Sequence, residues 1–317
     1  LLRELDDFYV PEYWFEFDML RVPGGLLDFR HCLLEDWSPI RSHAAYHEFV
    51  SVIEKMGLDP NSWDILGLIR STGQRYDRRF EGQFRSLSRQ FANQFIEGAF
   101  KAEWPYDGLR ENGIIRLTKR LLRRLGVRNS LFNDVLLMNG HDFDKRAKVY
   151  LENLYRVFIP TACDHVVFNN GFEPFNPEPA LSMLGARQIV VTRDPRDIYV
   201  AGLNSYNVND EDRHLLAFDN DGLSKSFLAT DDLDTFIHRY EIYQKQLFNG
   251  IENNILHVTF EELILNYDSQ IERIFAFLDI DPGRHRRAKT EFIPSKSRKN
   301  IGLWNDYGRK NEIKYIE

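Results

Sequence analysis

Cysteine is nearly absent, with only Cys32 and Cys163 in 317 residues. Two thiols make neither a disulfide framework nor a zinc site, so a reducing, cytoplasmic setting is expected. Long apolar runs are missing too. None approaches the ~18–20 residues that cross a bilayer, and no integral membrane segment is expected. Positive charge is not in excess: 41 Lys and Arg face 48 Asp and Glu, a formal net charge of −7. The chain as a whole therefore does not attract nucleic acid, no nucleic-acid partner is expected, and any polyanion site must be a local basic patch. No G-x-S-x-G turn supports a Ser-His-Asp hydrolase. No metal-ligand spacing occurs, so no metal is expected. No initiating Met or helix cap precedes Leu1-Leu2-Arg3-Glu4-Leu5, which reads as the inside of a helix ending near Phe8, and residues upstream of Leu1 are expected.

What is there is globular: 43% hydrophobic and 28% charged residues. Tyr13 to Met19 reads as a short aromatic strand whose alternation puts Glu16 and Asp18 on one face. Those two carboxylates are either solvent-facing positions or a catalytic pair. Pro23-Gly24-Gly25 is a turn. Ser42 to Lys55 is a helix, and Asn61 or Ser62 caps another through Ile69. Ser71 to Glu81 is polar and arginine-rich, either a mobile loop over a site or a solvated face. Phe84 to Phe100 reads as helix. Ile114 to Leu125 is amphipathic, with Ile114, Ile115, Leu121, Leu122 and Leu125 on one stripe and Lys or Arg opposite. That basic face is either a plain solvated surface or a receiver for an acidic substrate such as a sugar polymer or lipid head group. Residues 42–160 thus form a mostly helical block without internal repeat.

The pattern changes at Asp164. His165 to Phe168 is a short apolar strand, followed by a Pro-rich loop, a short helix and a second apolar strand, Ile189-Val190-Val191. A right-handed parallel arrangement of these strands is expected, with Ile189-Val190-Val191 buried on both faces. The second strand runs into Arg193-Asp194-Pro195-Arg196-Asp197 and then a helix, which places two arginines at the carboxyl end of a strand, where open α/β sheets bind ligands. Arg193 can hold a phosphate bidentately, and the helix start adds amides and a positive dipole end. Arg196 and Asp197 can instead pair with each other or with the helix end. Ala217 to Asp232 is a lid candidate. Ile255 to Phe260 is a third strand. Arg284 to Lys299 then carries seven Lys or Arg against one acid, Glu291. The tail Ser295-Lys296-Ser297-Arg298-Lys299-Asn300-Ile301-Gly302-Leu303-Trp304 offers hydroxyl, cations, a Gly loop and an aromatic. Two separate anion sites in one α/β chain point to a ligand with separated phosphates.

VVTRDPRDIYVAGLNSY, ILHVTFEELILN and SKSRKNIGLW occur in the order seen in sulfotransferases that use 3′-phosphoadenosine-5′-phosphosulfate (PAPS), and the chain resembles that family over about residues 164–304. The resemblance implies a single α/β domain, 1–317, of the P-loop-like sulfotransferase fold: a central parallel sheet flanked by helices, with 42–160 as a large acceptor-side helical insertion and 164–304 as the nucleotide-binding part. It implies transfer of a sulfuryl group from PAPS to a hydroxyl of a carbohydrate or small-molecule acceptor. Arg193 would hold the 3′-phosphate, joined by Ser297, Arg298 and Lys299, while Trp304 supports the loop, stacks or packs in the core.

Three departures stand out. The family's helix Ser, eight residues after the Arg, is Ala201 here, and Ser205 is the nearest hydroxyl. The Gly after Arg-Lys is Asn300, with Gly302 two residues on. The Gly- and Ser-containing 5′-phosphosulfate loop is not in the sequence. The Leu1–Phe8 segment resembles the helix that follows that loop, so the loop is expected upstream of Leu1. Sulfuryl transfer also needs a base for the acceptor hydroxyl. Cytosolic members use a His at the end of the strand before the Arg strand, a position near Asn170 here. Other members use a carboxylate soon after the first helix, which favours Glu16, then Asp18, with Glu173 and His31 in reserve; His43 and His47 read as helix-surface residues. The competing readings are a P-loop-type kinase, which needs G-x-x-x-x-G-K-[ST], and a non-catalytic nucleotide- or glycan-binding module.

Overall fold

The computed structural model describes all residues except 13–14, 60–62, 65–68, 71–72, 103–112, 127–132, 158, 160–162, 173–174, 207–227, 229, 231, 248–253, 309, 315 and 317. The chain is mixed α/β and divides into two compact units. One comprises 1–18 with 159–317, the other 19–158.

In chain order, a 3₁₀ turn at Leu2–Glu4 precedes β1 (Phe8–Tyr9). Then come α1 (Leu26–Leu34), α2 (Pro39–Gly57), β2 (Trp63–Asp64), β3 (Ile69–Arg70), α3 (Tyr76–Arg79) and α4 (Phe84–Asn93). Next are β4 (Ile96–Ala102), α5 (Gly113–Arg124), β5 (Asn133–Met138), α6 (Phe143–Arg156), β6 (His165–Val166), α7 (Glu178–Leu184) and β7 (Gln188–Thr192). The remainder holds α8 (Pro195–Tyr206), α9 (Leu233–Leu247), β8 (Ile255–Thr259), α10 (Phe260–Leu265), α11 (Tyr267–Leu278), α12 (Pro294–Ser297) and α13 (Lys310–Ile313).

Unit 19–158 is a helical block around stacked aromatics. Ser38 caps α2 by accepting from the Arg41 amide at 3.1 Å, and Pro39 fills the first turn, where its missing N–H costs nothing. Phe84, Ser88, Phe91 and Ala92 are the buried face of α4, at helical spacing. The rings of Phe29 and Phe49 stack at 4.9 Å, and those of Phe95 and Phe143 at 4.8 Å. Fully burying rings of this size dominates the energetics of such a block. The buried Tyr150 hydroxyl is satisfied by Ser88 at 2.7 Å, and burial pushes its pKa up.

Unit 1–18 with 159–317 carries two parallel strand pairs, β1 with β6 and β7 with β8. Leu256 and Val258 of β8 pack with Ile271, Ile274 and Phe275 of α11 and with Leu5. Tyr199 and Val200 of α8 pack with Phe236 and Tyr240 of α9 and with Ile313 and Ile316.

Several expectations fail here for physical reasons. The described strands form four separate two-stranded sheets rather than one central parallel sheet. β6 and β7 do not pair with one another; each takes a partner from far along the chain. Nor is β7 buried on both faces, since Val190 is 7% exposed and Val191 53%. Leu1–Phe8 is a 3₁₀ turn and a strand start, because Phe8 and Tyr9 have a ladder partner in His165 and Val166. Within Tyr13–Met19 the described residues form no strand, yet Phe15 and Phe17 are buried and Glu16 and Asp18 half-buried. The period-2 burial is thus achieved without a ladder, with the Phe17 amide donating to the Asn169 carbonyl at 3.4 Å. The helix expected after Ser62 is instead the antiparallel β2–β3 pair. The expected helix Phe84–Phe100 ends at Asn93, and Ile96 onward pairs antiparallel with β5. His43 is not a surface residue: it is 7% exposed and its Nδ1 accepts the Leu136 amide at 3.1 Å. The lid candidate lies almost wholly outside the described residues.

Candidate functional site

The RDPRD turn connects β7 to α8. Asp194 Oδ1 accepts the Arg196 amide at 2.9 Å, an N-capping arrangement that fixes the helix start. Arg196 folds back onto the same carboxylate, with Nη2 2.6 Å from Oδ2. Burial by itself pushes the Asp194 carboxyl up, but the guanidinium and amide of Arg196 and the amide of Asp197 outweigh it and hold the group below the usual carboxylate range. The Asp194 amide in turn donates to Glu261 Oε1 of α10 at 3.0 Å. Arg196 pairs with Asp194 and not with Asp197; its guanidinium lies over the Trp304 ring, 4.2 Å from the centroid. Trp304 is half-buried against the α8–α9 core, so it both packs and supports a cation.

Asp197 has a different task. It is fully buried and accepts the backbone amides of Gly302 at 2.7 Å and Trp304 at 3.2 Å. Arg193 Nη2 lies 3.9 Å from Asp197 Oδ2 and donates a short hydrogen bond to the Asn300 carbonyl. Its guanidinium sits over the Phe260 ring at 5.1 Å. Two segments 107 residues apart in sequence are therefore locked together at the carboxyl end of β7. Gly302 makes the turn possible, because its φ of +75° suits glycine.

Arg193 Nε is buried and has no hydrogen-bond partner among the described residues. An arginine with one edge committed to a carbonyl and a buried donor left over has capacity for an anionic oxygen. Arg298 and Lys299, in the 3₁₀ turn Arg298–Asn300, are exposed and make no ion pair among the described residues. Ser297 is half-buried at the end of α12. Three other cations of the basic segment are differently engaged. Arg284 pairs with Asp7 at 3.0 Å, Arg287 with Asp6 at 3.0 Å, and Lys289 lies 3.7 Å from Asp268. These ion pairs tie Arg284 and Arg287 to the start of the chain and Lys289 to α11, whereas Arg286, Lys296, Arg298 and Lys299 make no ion pair among the described residues.

Glu16 and Asn170, read from sequence as alternative positions for one role, are neighbours: the Asn170 amide donates to Glu16 Oε1 at 2.7 Å. The Phe17 amide also approaches the Asn169 carbonyl at 3.4 Å. Asn170 takes the left-handed conformation, φ +46°, which Asn tolerates better than most residues. Asp18 is half-buried. Glu173 lies outside the described residues, and so does the side chain of Ser205, although its backbone continues α8. His31 is exposed on α1, with Nδ1 2.8 Å from Glu35 Oε2. Sequence reading missed Asp197 as the anchor of the tail, Phe260 under Arg193, and Glu261 as acceptor for the turn. The repeated acid after each strand, in RDPRD and FEEL, was the available signal.

Among the described residues no group of three or more His, Cys, Asp or Glu side chains could hold a metal ion. No described helix is long and apolar enough to cross a membrane. Neither a family model, a curated protein nor a solved structure matches the chain.

Proposed function

We propose that the β7–α8 turn and the tail Ser297–Trp304 form the 3′-phosphate end of a nucleotide site, and that the protein is a sulfotransferase of P-loop-like fold. It would move a sulfuryl group from PAPS to a hydroxyl on a carbohydrate or small acceptor, in the cytoplasm. The observation that carries the reading is Arg193: anchored by Asn300, backed by Phe260, with Nε buried and without a partner among the described residues. Ser297, Arg298 and Lys299 stand on the turn that delivers Asn300, and α8 opens beside Arg193 with its amides and positive dipole end. Ser205 would add a hydroxyl further along α8.

The base in this reading is Glu16, held by Asn170, with Asp18 and Glu173 behind it. No metal is expected in this reading. A kinase of related fold is the competing reading, and it would need a G-x-x-x-x-G-K-[ST] turn.

Titration calorimetry with adenosine 3′,5′-bisphosphate tests the site. The wild-type chain should bind, and Arg193→Ala should weaken binding by roughly 10- to 100-fold, the range for a lost charged hydrogen bond. Equal affinity in both proteins would refute the assignment of Arg193. Binding without sulfuryl transfer would favour a non-catalytic nucleotide-binding module.

A further inference from the structure

We propose that α5 is a surface-seeking helix that docks this protein onto an anionic lipid surface. The helix is amphipathic but does not bury its apolar face. Ile114, Leu117 and Leu121 fall at i, i+3 and i+7, and Leu125 follows one turn later, held by its amide on the carbonyls of Leu121 and Leu122 at 3.1 Å. The four are 77%, 58%, 50% and 75% exposed. Thr118 lies within the same sector and spends its hydroxyl on the Ile114 carbonyl at 3.0 Å, which leaves its methyl on the apolar side. A stripe of large aliphatic side chains exposed to this degree along one helix marks an interaction surface rather than scattered surface residues.

The charge of the opposite face decides the occupant. Arg116, Lys119, Arg120, Arg123 and Arg124 occupy i, i+3, i+4, i+7 and i+8 of the other sector. No acidic residue occurs in the sequence between Glu111 and Asp134. The net charge of −7 does not cancel this patch, because at physiological salt charges beyond about 8 Å are screened. A helix of 12 residues spans about 18 Å, too short to cross the ~30 Å core of a bilayer. An apolar stripe with a Lys/Arg-rich face and low mean hydropathy is the pattern that lies in the plane of a membrane interface. The aliphatic side chains enter the acyl boundary, and the cations, Lys119 and Arg124 at the borders of the stripe, reach anionic head groups. A soluble acidic polysaccharide would use the cations and leave the leucines in water.

Vesicle co-sedimentation of the full chain tests this. The chain should sediment with vesicles of phosphatidylcholine and phosphatidylserine in equal parts, should release as salt is raised, and should bind poorly to phosphatidylcholine alone. Replacing Lys119, Arg120, Arg123 and Arg124 together by Gln should lower binding several hundredfold, at ~fivefold per cation. Leu117→Ser with Leu121→Ser should lower it at least about tenfold. All these positions are exposed or half-buried, so both variants should retain the wild-type circular dichroism spectrum and unaltered binding of adenosine 3′,5′-bisphosphate; failure here is thereby separable from failure of the nucleotide reading. Three results would each overturn the proposal. The first is no sedimentation with anionic vesicles at low salt. The second is heparin retention that the two Ser substitutions leave unchanged, with no lipid binding, which identifies a glycan face. The third is lipid-free self-association that those substitutions abolish, which identifies a second copy as the occupant.

Discussion

Glu4 shows how one buried carboxylate can organise a distant segment. It is 1% exposed, accepts the amides of Glu291 and Phe292 at 3.0 and 2.9 Å, and meets His285 Nε2 at 2.6 Å. Burial raises its pKa, but the Phe292 amide, His285 and the Glu291 amide together bring it below the usual value. A carboxylate depressed in the folded state stabilises above its unfolded pKa of ~4.3, and that contribution vanishes as pH falls through the folded value. Glu4→Gln should therefore lower stability by roughly 1.5–3 kcal/mol at neutral pH, and the gap to wild type should close in urea titrations run well below pH ~4. The same scale governs the proposed base. Glu16→Gln should leave calorimetric affinity for the bisphosphate intact while turnover falls by at least about 100-fold. Asn170→Gly, which removes the amide that positions Glu16 and keeps the left-handed backbone accessible, should cost less and shift the pH–rate profile. Turnover unchanged in Glu16→Gln would move the base to Asp18 or Glu173.

At the scale of elements, the tail turn is held by geometry rather than by apolar area. Gly302 sits at φ +75°, its amide is fixed on Asp197, and an added Cβ would lie 2.8 Å from the mobile end of Asn305. Asn305 can move, so the cost of Gly302→Ala is the left-handed backbone, about 1–2 kcal/mol. Hydrogen exchange should show faster exchange at the Gly302 and Trp304 amides, with Gly302→Asn milder than Ala. Exchange that stays unaltered would mean that the turn is secured elsewhere. Helix α5 is the counter-example among elements. Its periodicity was plain in sequence, but periodicity alone implies a buried stripe, and only the structure reveals that Ile114, Leu117, Leu121 and Leu125 are exposed.

For the whole molecule, nucleotide binding should be readable as stability. A ligand at a hundred times its Kd adds ~2.7 kcal/mol to the folded state. For a unit the size of 1–18 with 159–317 that raises its thermal midpoint by roughly 5–10 °C. Adenosine 3′,5′-bisphosphate should therefore shift the transition of that unit in the wild type and much less in Arg193→Ala. An equal shift in both would place the ligand away from β7.

The sequence by itself determined the local chemistry: the RDPRD turn, the basic tail, the helical block, and the buried–exposed alternation at Phe15 to Asp18. Those are short-range properties, set by residue type and period. Tertiary structure decided the rest, because pairing and burial depend on residues far along the chain. It gave Phe8 a strand partner at His165, paired Ile96 with Met138, and put the Asn170 amide on Glu16. It assigned Asp197 to the tail amides and spent Arg284 and Arg287 on Asp7 and Asp6. A list of basic residues cannot separate cations that hold the fold from cations left for a ligand. Ion pairing of Arg284 and Arg287 with the far end of the chain removes those two from the ligand-binding candidates here.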